Sequence, residues 1–220
     1  MQNSGMKDIA AKICAARIAA VVGFEKEAEV SPVIEALQEG GVRVIELTLR
    51  SSYALKAVEY VKRKYPKLLL GVGTVINKQQ VEHIAEIADF AVAPGLNRQI
   101  IETSQTRGLP FFPGIATASE IEKALEYDIR FLKFFPAEPL GGLKYLRSMN
   151  APYAHLGMQY LPLGGVNQEN MLNYLQSPII GAVGGSWLAP NKLISTGNWK
   201  KIKELALEAM NAAKRLDGNE

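Results

Sequence analysis

Short apolar runs alternate with amphipathic stretches along nearly the whole chain. The runs at 17–23, 42–49, 68–72, 90–93, 109–112, 131–135, 159–163 and 179–183 have strand lengths. Between them, helical spacing predicts helices at 31–39, 52–64, 77–87, 97–106, 117–127, 143–148 and 167–175. A lead-in helix at 7–16 and a long amphipathic helix from 199 to 216 flank this series. The breakers fall where they should: Gly40-Gly41, Pro66, Pro94-Gly95, Pro113-Gly114 and Pro136. Asn77 stands at an N-cap position, and Thr117 with Glu120 three residues on reads as a capping box. Strands alternating with helices mean crossover units and a parallel sheet. Eight of them predict α/β architecture: a single (β/α)8 TIM barrel over residues 1–220 with an extra N-terminal helix. An open doubly wound sheet is the alternative, but no Gly-x-Gly-x-x-Gly turn follows the first strand to support a dinucleotide site.

Composition narrows the chemistry. The net charge of +3 over 220 residues is too small to argue for nucleic acid. The single Cys14 excludes an internal disulfide and reads as helix filler; His83 and His155 are isolated, so no metal and no cofactor is expected. No run reaches membrane-spanning length and residues 1–5 lack the apolar segment of a signal peptide, so a cytoplasmic protein without membrane or nucleic-acid partners is expected.

One polar residue sits inside the most aromatic run, Phe131-Leu132-Lys133-Phe134-Phe135-Pro136. Period two puts Phe131, Lys133 and Phe135 on one face and Leu132 and Phe134 on the other. Burying a lysine disfavours its charged form and prepares a nucleophile. With an ordinary pKa of about 10.4, only roughly one amine in a thousand is neutral near pH 7.4. The alternative is an edge lysine snorkelling to water. On the second strand the same period aligns Glu46, Thr48 and Arg50, a polar set pointing inward while Ile45, Leu47 and Leu49 face the helices. Glu46 and Arg50 there serve either a substrate or a structural ion pair. The third strand ends in Gly71-Val72-Gly73-Thr74, where small residues either let a ligand approach the backbone or make a plain turn with Thr74 capping it. The last two strands end in Gly164-Gly165 and Gly184-Gly185-Ser186. In barrels, the loops after strands seven and eight commonly bind phosphate through backbone N–H groups; tight turning is the competing explanation.

Taken together, these motifs resemble the KDPG/KHG aldolase family (2-keto-3-deoxy-6-phosphogluconate and 4-hydroxy-2-oxoglutarate aldolases). They run from Gly40-Gly41-Val42-Arg43-Val44-Ile45-Glu46-Leu47-Thr48-Leu49-Arg50 through Gly71-Val72-Gly73-Thr74-Val75, Ala93-Pro94-Gly95-Leu96, Phe112-Pro113-Gly114-Ile115 and the lysine run with Ala137-Glu138, to Gly164-Gly165-Val166 and Gly184-Gly185-Ser186. The resemblance implies a homotrimeric, metal-free class I aldolase acting on a small 2-keto acid, in the Entner–Doudoroff pathway. It makes Lys133 the Schiff-base lysine and Glu46 the general acid/base. Arg50 and Thr74 hold the pyruvate carboxylate, Pro94 lines that pocket, and Phe135 packs by the imine. Gly164, Gly165 and Ser186 form the phosphate end.

The chain departs from the family pattern at Leu163 and Ala116, where a threonine and a serine are common, and at Gly23-Phe24. Leu163 removes a hydroxyl beside the substrate, which opens the stereochemical preference at C4 and admits the galactonate epimer as substrate. Other readings are a phosphate-binding barrel isomerase or transferase without a Schiff base, a silent metabolite-binding relative, and a structural protein.

Overall fold

A computed structural model describes residues 2–217, with side chains over 4–216; Met1 and residues 218–220 of the expected 1–220 domain lie outside them. The elements follow in the order α1 (Gln2–Ala16), β1 (Ile18–Val22), α2 (Glu27–Glu39), β2 (Val44–Thr48), α3 (Ala54–Lys64), β3 (Leu69–Gly73), α4 (Lys78–Ile84), β4 (Phe90–Val92) and α5 (Arg98–Thr106). There follow β5 (Phe111–Phe112), β6 (Gly114–Ile115), α6 (Ala118–Leu125), β7 (Phe131–Phe134), α7 (Gly142–Asn150), β8 (Gln159–Pro162), α8 (Met171–Leu175), β9 (Val183–Gly185), α9 (Asn191–Ser195) and α10 (Trp199–Asp217).

All strand pairs are parallel, as the alternation predicts. They form a six-stranded sheet, β5-β4-β3-β2-β1-β9, and a three-stranded one, β6-β7-β8. The continuous eight-stranded ring expected from the sequence is therefore not the hydrogen-bonding pattern. One break falls at Pro113, between β5 and β6, which has no N–H to give to a ladder. The other lies between β8 and β9, where a single bridge joins Tyr160 and Ile180. The expected last strand at 179–183 is thus displaced to Val183–Gly185. Gly184 and Gly185, which read as loop residues, pair in register with Ala19 and Ala20 of β1. An available partner edge outweighs weak intrinsic strand preference.

The helices follow their predicted faces. In α3, Ala54, Ala57, Val58 and Val61 are buried at helical spacing. Asn77 and Gln80 form a reciprocal cap on α4, and Thr117 and Glu120 do the same on α6. Boundaries shift where side chains compete. Helix α1 begins at Gln2 rather than 7. Helix α2 begins at Glu27, where Glu27 and Glu29 suit the positive end of the helix. Helix α8 starts only at Met171, because Asn167 and Asn170 tie the preceding turn: Asn167 Oδ1 accepts from the amides of Glu169 and Asn170, and Asn170 Oδ1 accepts from the amide of Asn167. The turns Ala151–Leu156 and Ser186–Leu188 and helix α9 lacked a sequence signal.

Alternation along the strands separates two cores. Ile45 and Leu47 of β2, and Leu132 and Phe134 of β7, join a large cluster with the helices. Val44, Phe90, Val92, Phe112, Phe131, Leu161, Leu163 and Ala182 form an inner cluster, joined by Ile13 of α1. Phe112 and Phe131 meet edge-on, with ring centroids 4.9 Å apart. This inner cluster is the floor on which the polar side chains of β2 and β7 stand.

Candidate active site

Lys133 is fixed by its backbone on both sides. Its amide donates to the carbonyl of Pro113 at 3.0 Å, and it stands in register with Gly114 and Leu161. The side chain points inward with only 5% of its surface exposed. Its Nζ donates to Glu46 Oε1 across 3.3 Å, and Glu46 is itself 2% exposed. The snorkelling alternative is thereby overturned. The two residues lie 87 positions apart and belong to different sheets. An isolated buried ion pair contributes little net stability, because desolvation offsets its attraction. The Phe135 ring centroid lies 5.5 Å from Nζ.

Glu46 needs room, and Gly73 provides it. A Cβ at residue 73 would stand 2.6 Å from Glu46 Cδ and 2.8 Å from Cγ, and closer still to Oε1. Ligand approach and a plain turn are the two expectations for this glycine; its first contact is the Glu46 carboxylate. The structural Glu46–Arg50 pair is also replaced: Glu46 pairs with Lys133, and Arg50 Nε donates to Thr74 Oγ1 at 3.1 Å. Thr74 adopts φ 62°, a left-handed conformation uncommon for a β-branched residue and a mark of functional sites. Thr48, third of the inward set, is buried, its hydroxyl directed at the Val22 carbonyl at 3.4 Å. Pro94 is exposed in the loop after β4, and its backbone presses against Gly114, the register neighbour of Lys133.

The glycine turn after β8 lies on the segment that follows the lysine. Ala137 N donates to Leu163 O at 2.7 Å, and Glu138 N to Gly164 O at 2.9 Å. Gly164 and Gly165 have φ of 90° and 88°, open to glycine at low cost. A side chain on Gly164 would meet Pro136 at 3.0 Å and Phe135 at 3.1 Å; one on Gly165 would meet Glu138 Cβ at 2.5 Å. Gly185 comes next to Val166 O, which brings the turn after β9, with Ser186 exposed on it, beside the turn after β8.

Two neighbours of this turn went unassigned in the sequence. Glu138 accepts a short hydrogen bond from the hydroxyl of Tyr174 on α8. Burial, then that bond to the carboxylate, pushes the Tyr174 phenol well above its ordinary range, so it remains a neutral donor. Glu138 was legible only as the end of the lysine motif, and Tyr174 carried no signal. Of the departures, Leu163 is buried in the inner cluster against Gly184, and Phe24 is buried. Ala116 uses its backbone alone, giving its amide to Glu120 and accepting from the Tyr145 hydroxyl. Cys14 is half-buried, and burial raises its thiol pKa. Among the described residues, no three His, Cys, Asp or Glu side chains gather as metal ligands, and no helix is long and apolar enough to cross a membrane.

Residues 9–205 match the family model described as KDPG and KHG aldolase. The chain is 36% identical over 195 residues to the KHG/KDPG aldolase of Escherichia coli K12, covering 88% of this chain and 91% of that one. It superposes on the KDPG aldolase of Legionella pneumophila, solved with pyruvate captured as a covalent carbinolamine, with a TM-score of 0.87 and 34% identity over 91% of this chain and 97% of that one. The KDPG aldolase of Zymomonas mobilis ZM4, solved with 3-phosphoglycerate, gives a TM-score of 0.85 at 34% identity over 93% and 96% of the two chains.

Proposed function

The chain belongs to the KDPG and KHG aldolase family of carbon–carbon lyases, and on that premise we propose that it cleaves 2-keto-3-deoxy-6-phosphogluconate to pyruvate and glyceraldehyde 3-phosphate through a Schiff base on Lys133. The observation that carries this reading is the buried Lys133 Nζ, 3.3 Å from Glu46 Oε1 and beneath the Phe135 ring. A 2-keto acid brings its C2 to the amine. The neutral nitrogen adds to the ketone, and Glu46 delivers the proton that lets the carbinolamine lose water as an iminium. The iminium withdraws electrons as the C3–C4 bond breaks, while Glu46, directly or through a water, takes the C4 hydroxyl proton. The enamine is then protonated at C3 and hydrolysed, releasing pyruvate and the free amine.

The remaining roles follow position. Arg50 and Thr74, already joined at the ends of β2 and β3, bind the pyruvate carboxylate, and Pro94 lines that pocket. Gly164, Gly165 and Ser186 receive the phosphate. The carbonyls of Leu163, Gly164 and Gly165 are held by the amides of Ala137 and Glu138 and by Asn170 Nδ2. In a trans peptide the N–H points opposite its carbonyl, so the amides of Gly164, Gly165 and Val166 face away from those partners, as an anion site requires. The Zymomonas relative was solved with a phosphorylated three-carbon acid, which supports a phosphorylated substrate.

The reading extends to 4-hydroxy-2-oxoglutarate, cleaved to pyruvate and glyoxylate, as the double name of the Escherichia coli relative suggests. It takes residues 1–220 as one domain and the two parallel sheets as arcs of one (β/α)8 barrel, supported by the single residue between β5 and β6 and by the Tyr160–Ile180 bridge. It places the protein in the cytoplasm as a homotrimer, which sedimentation tests. Borohydride reduction with pyruvate should add its mass irreversibly at Lys133, and Lys133→Met should abolish both adduct and pyruvate release from the phosphorylated aldol. An adduct on another lysine, or full turnover by the Met variant, sinks the proposal.

A further inference from the structure

Resting on the aldolase reading, we infer that Glu138 and Tyr174 are positioning residues, which hold the glycine turn in its anion-binding shape while leaving the imine chemistry alone. Glu138 touches that turn twice. Its amide holds the Gly164 carbonyl at 2.9 Å, and its stem packs against the Gly165 Cα, where a Cβ would meet Glu138 Cγ at 2.7 Å. Its carboxylate is anchored from the far side by the buried Tyr174 hydroxyl. Gly142, with φ 62°, closes over this bond: a Cβ there would stand 2.9 Å from Glu138 Oε1 and 3.1 Å from the Tyr174 oxygen. Helix α8, the turn after β8, the segment after Lys133 and the start of α7 therefore meet at one hydrogen bond.

The consequence follows from peptide geometry. The Gly164 carbonyl can face Glu138 only while the amide of Gly165 faces the other way. Releasing Glu138 frees two glycines that tolerate many conformations, and the amides of Gly164, Gly165 and Val166 are no longer held in place. Neither Glu138 nor Tyr174 contacts Lys133, Glu46, Arg50 or Thr74 in any bond described, so the carboxylate-binding and imine end stays assembled.

The test compares Tyr174→Phe, Glu138→Ala and Glu138→Gln with the wild type on two substrates. Tyr174→Phe keeps the buried ring and leaves Glu138 to water. It should raise KM for 2-keto-3-deoxy-6-phosphogluconate about five- to tenfold, the worth of one charge-assisted hydrogen bond. KM for unphosphorylated 4-hydroxy-2-oxoglutarate and the rate of pyruvate trapping at Lys133 should change less than about twofold. Glu138→Ala should behave alike, and Glu138→Gln, whose amide oxygen still accepts from Tyr174 in a weaker neutral bond, should recover most of the loss and stay within about threefold of the wild-type KM. An unchanged KM for the phosphorylated substrate, or equal losses on both substrates and in trapping, overturns the inference while the wild-type activity upholds the aldolase reading. A wild type that neither turns over nor is trapped at Lys133 overturns both.

Discussion

Glu46 and Gly73 are packed so closely that the carboxylate occupies the space where any other residue at 73 would place its Cβ. The contact runs along the side chain, to Cγ and Cδ as well as to Oε1. Gly73→Ala should therefore swing the carboxylate off Lys133 rather than move the backbone. The expected outcome is a fall in kcat of about 100-fold or more with a stability cost of only about 1–3 kcal/mol, read from steady-state kinetics and denaturant melts. Full activity in this variant would show that the Glu46 position is not critical.

Glu46→Gln keeps the volume and removes the proton transfer. It should lower kcat by about 10²–10⁴-fold. Pyruvate should still be trapped at Lys133 by borohydride, more slowly, because the nucleophile remains. Intact-protein mass spectrometry over time separates the two effects. Loss of every trace of adduct would argue that Glu46 is needed to keep the lysine in place.

Leu163 is a buried apolar residue of the inner cluster, directly before the glycine turn. Leu163→Thr should cost roughly 1–3 kcal/mol of stability through lost packing against the inner cluster. In return it should sharpen discrimination between the gluconate and galactonate epimers at C4, by about tenfold or more in the ratio of kcat/KM, since a site that hydrogen-bonds a hydroxyl rejects its mismatch. An unchanged ratio would place Leu163 away from C4.

Thr117 caps α6 reciprocally with Glu120, whose Oε2 also accepts from the amide of Ala116 at 2.8 Å. Thr117→Ala should cost about 1 kcal/mol, which for a chain of this size lowers Tm by about 2–4 °C. Kinetic constants should stay at wild-type values, because the cap touches no proposed substrate contact. Calorimetry beside a turnover assay reads both.

The chain alone determined the alternation of strands and helices, the capped starts of α4 and α6, and the faces of β2 and β7. Side-chain period and capping chemistry are local, and local rules write themselves into neighbouring residues. It also singled out Lys133 and Glu46 as polar residues within apolar strands, leaving open whether the lysine was buried or reached water. Tertiary structure decided what they meet. The 3.3 Å between Lys133 and Glu46, 87 residues apart, exists only because β2 and β7 face one another across the inner cluster. It broke the expected strand ring at Pro113, where a ladder lost its donor, and enlisted Gly184 and Gly185 as strand because β1 offered an edge. It set Gly73 against Glu46, and Tyr174 against Glu138, two relationships of space that no spacing along the chain encodes.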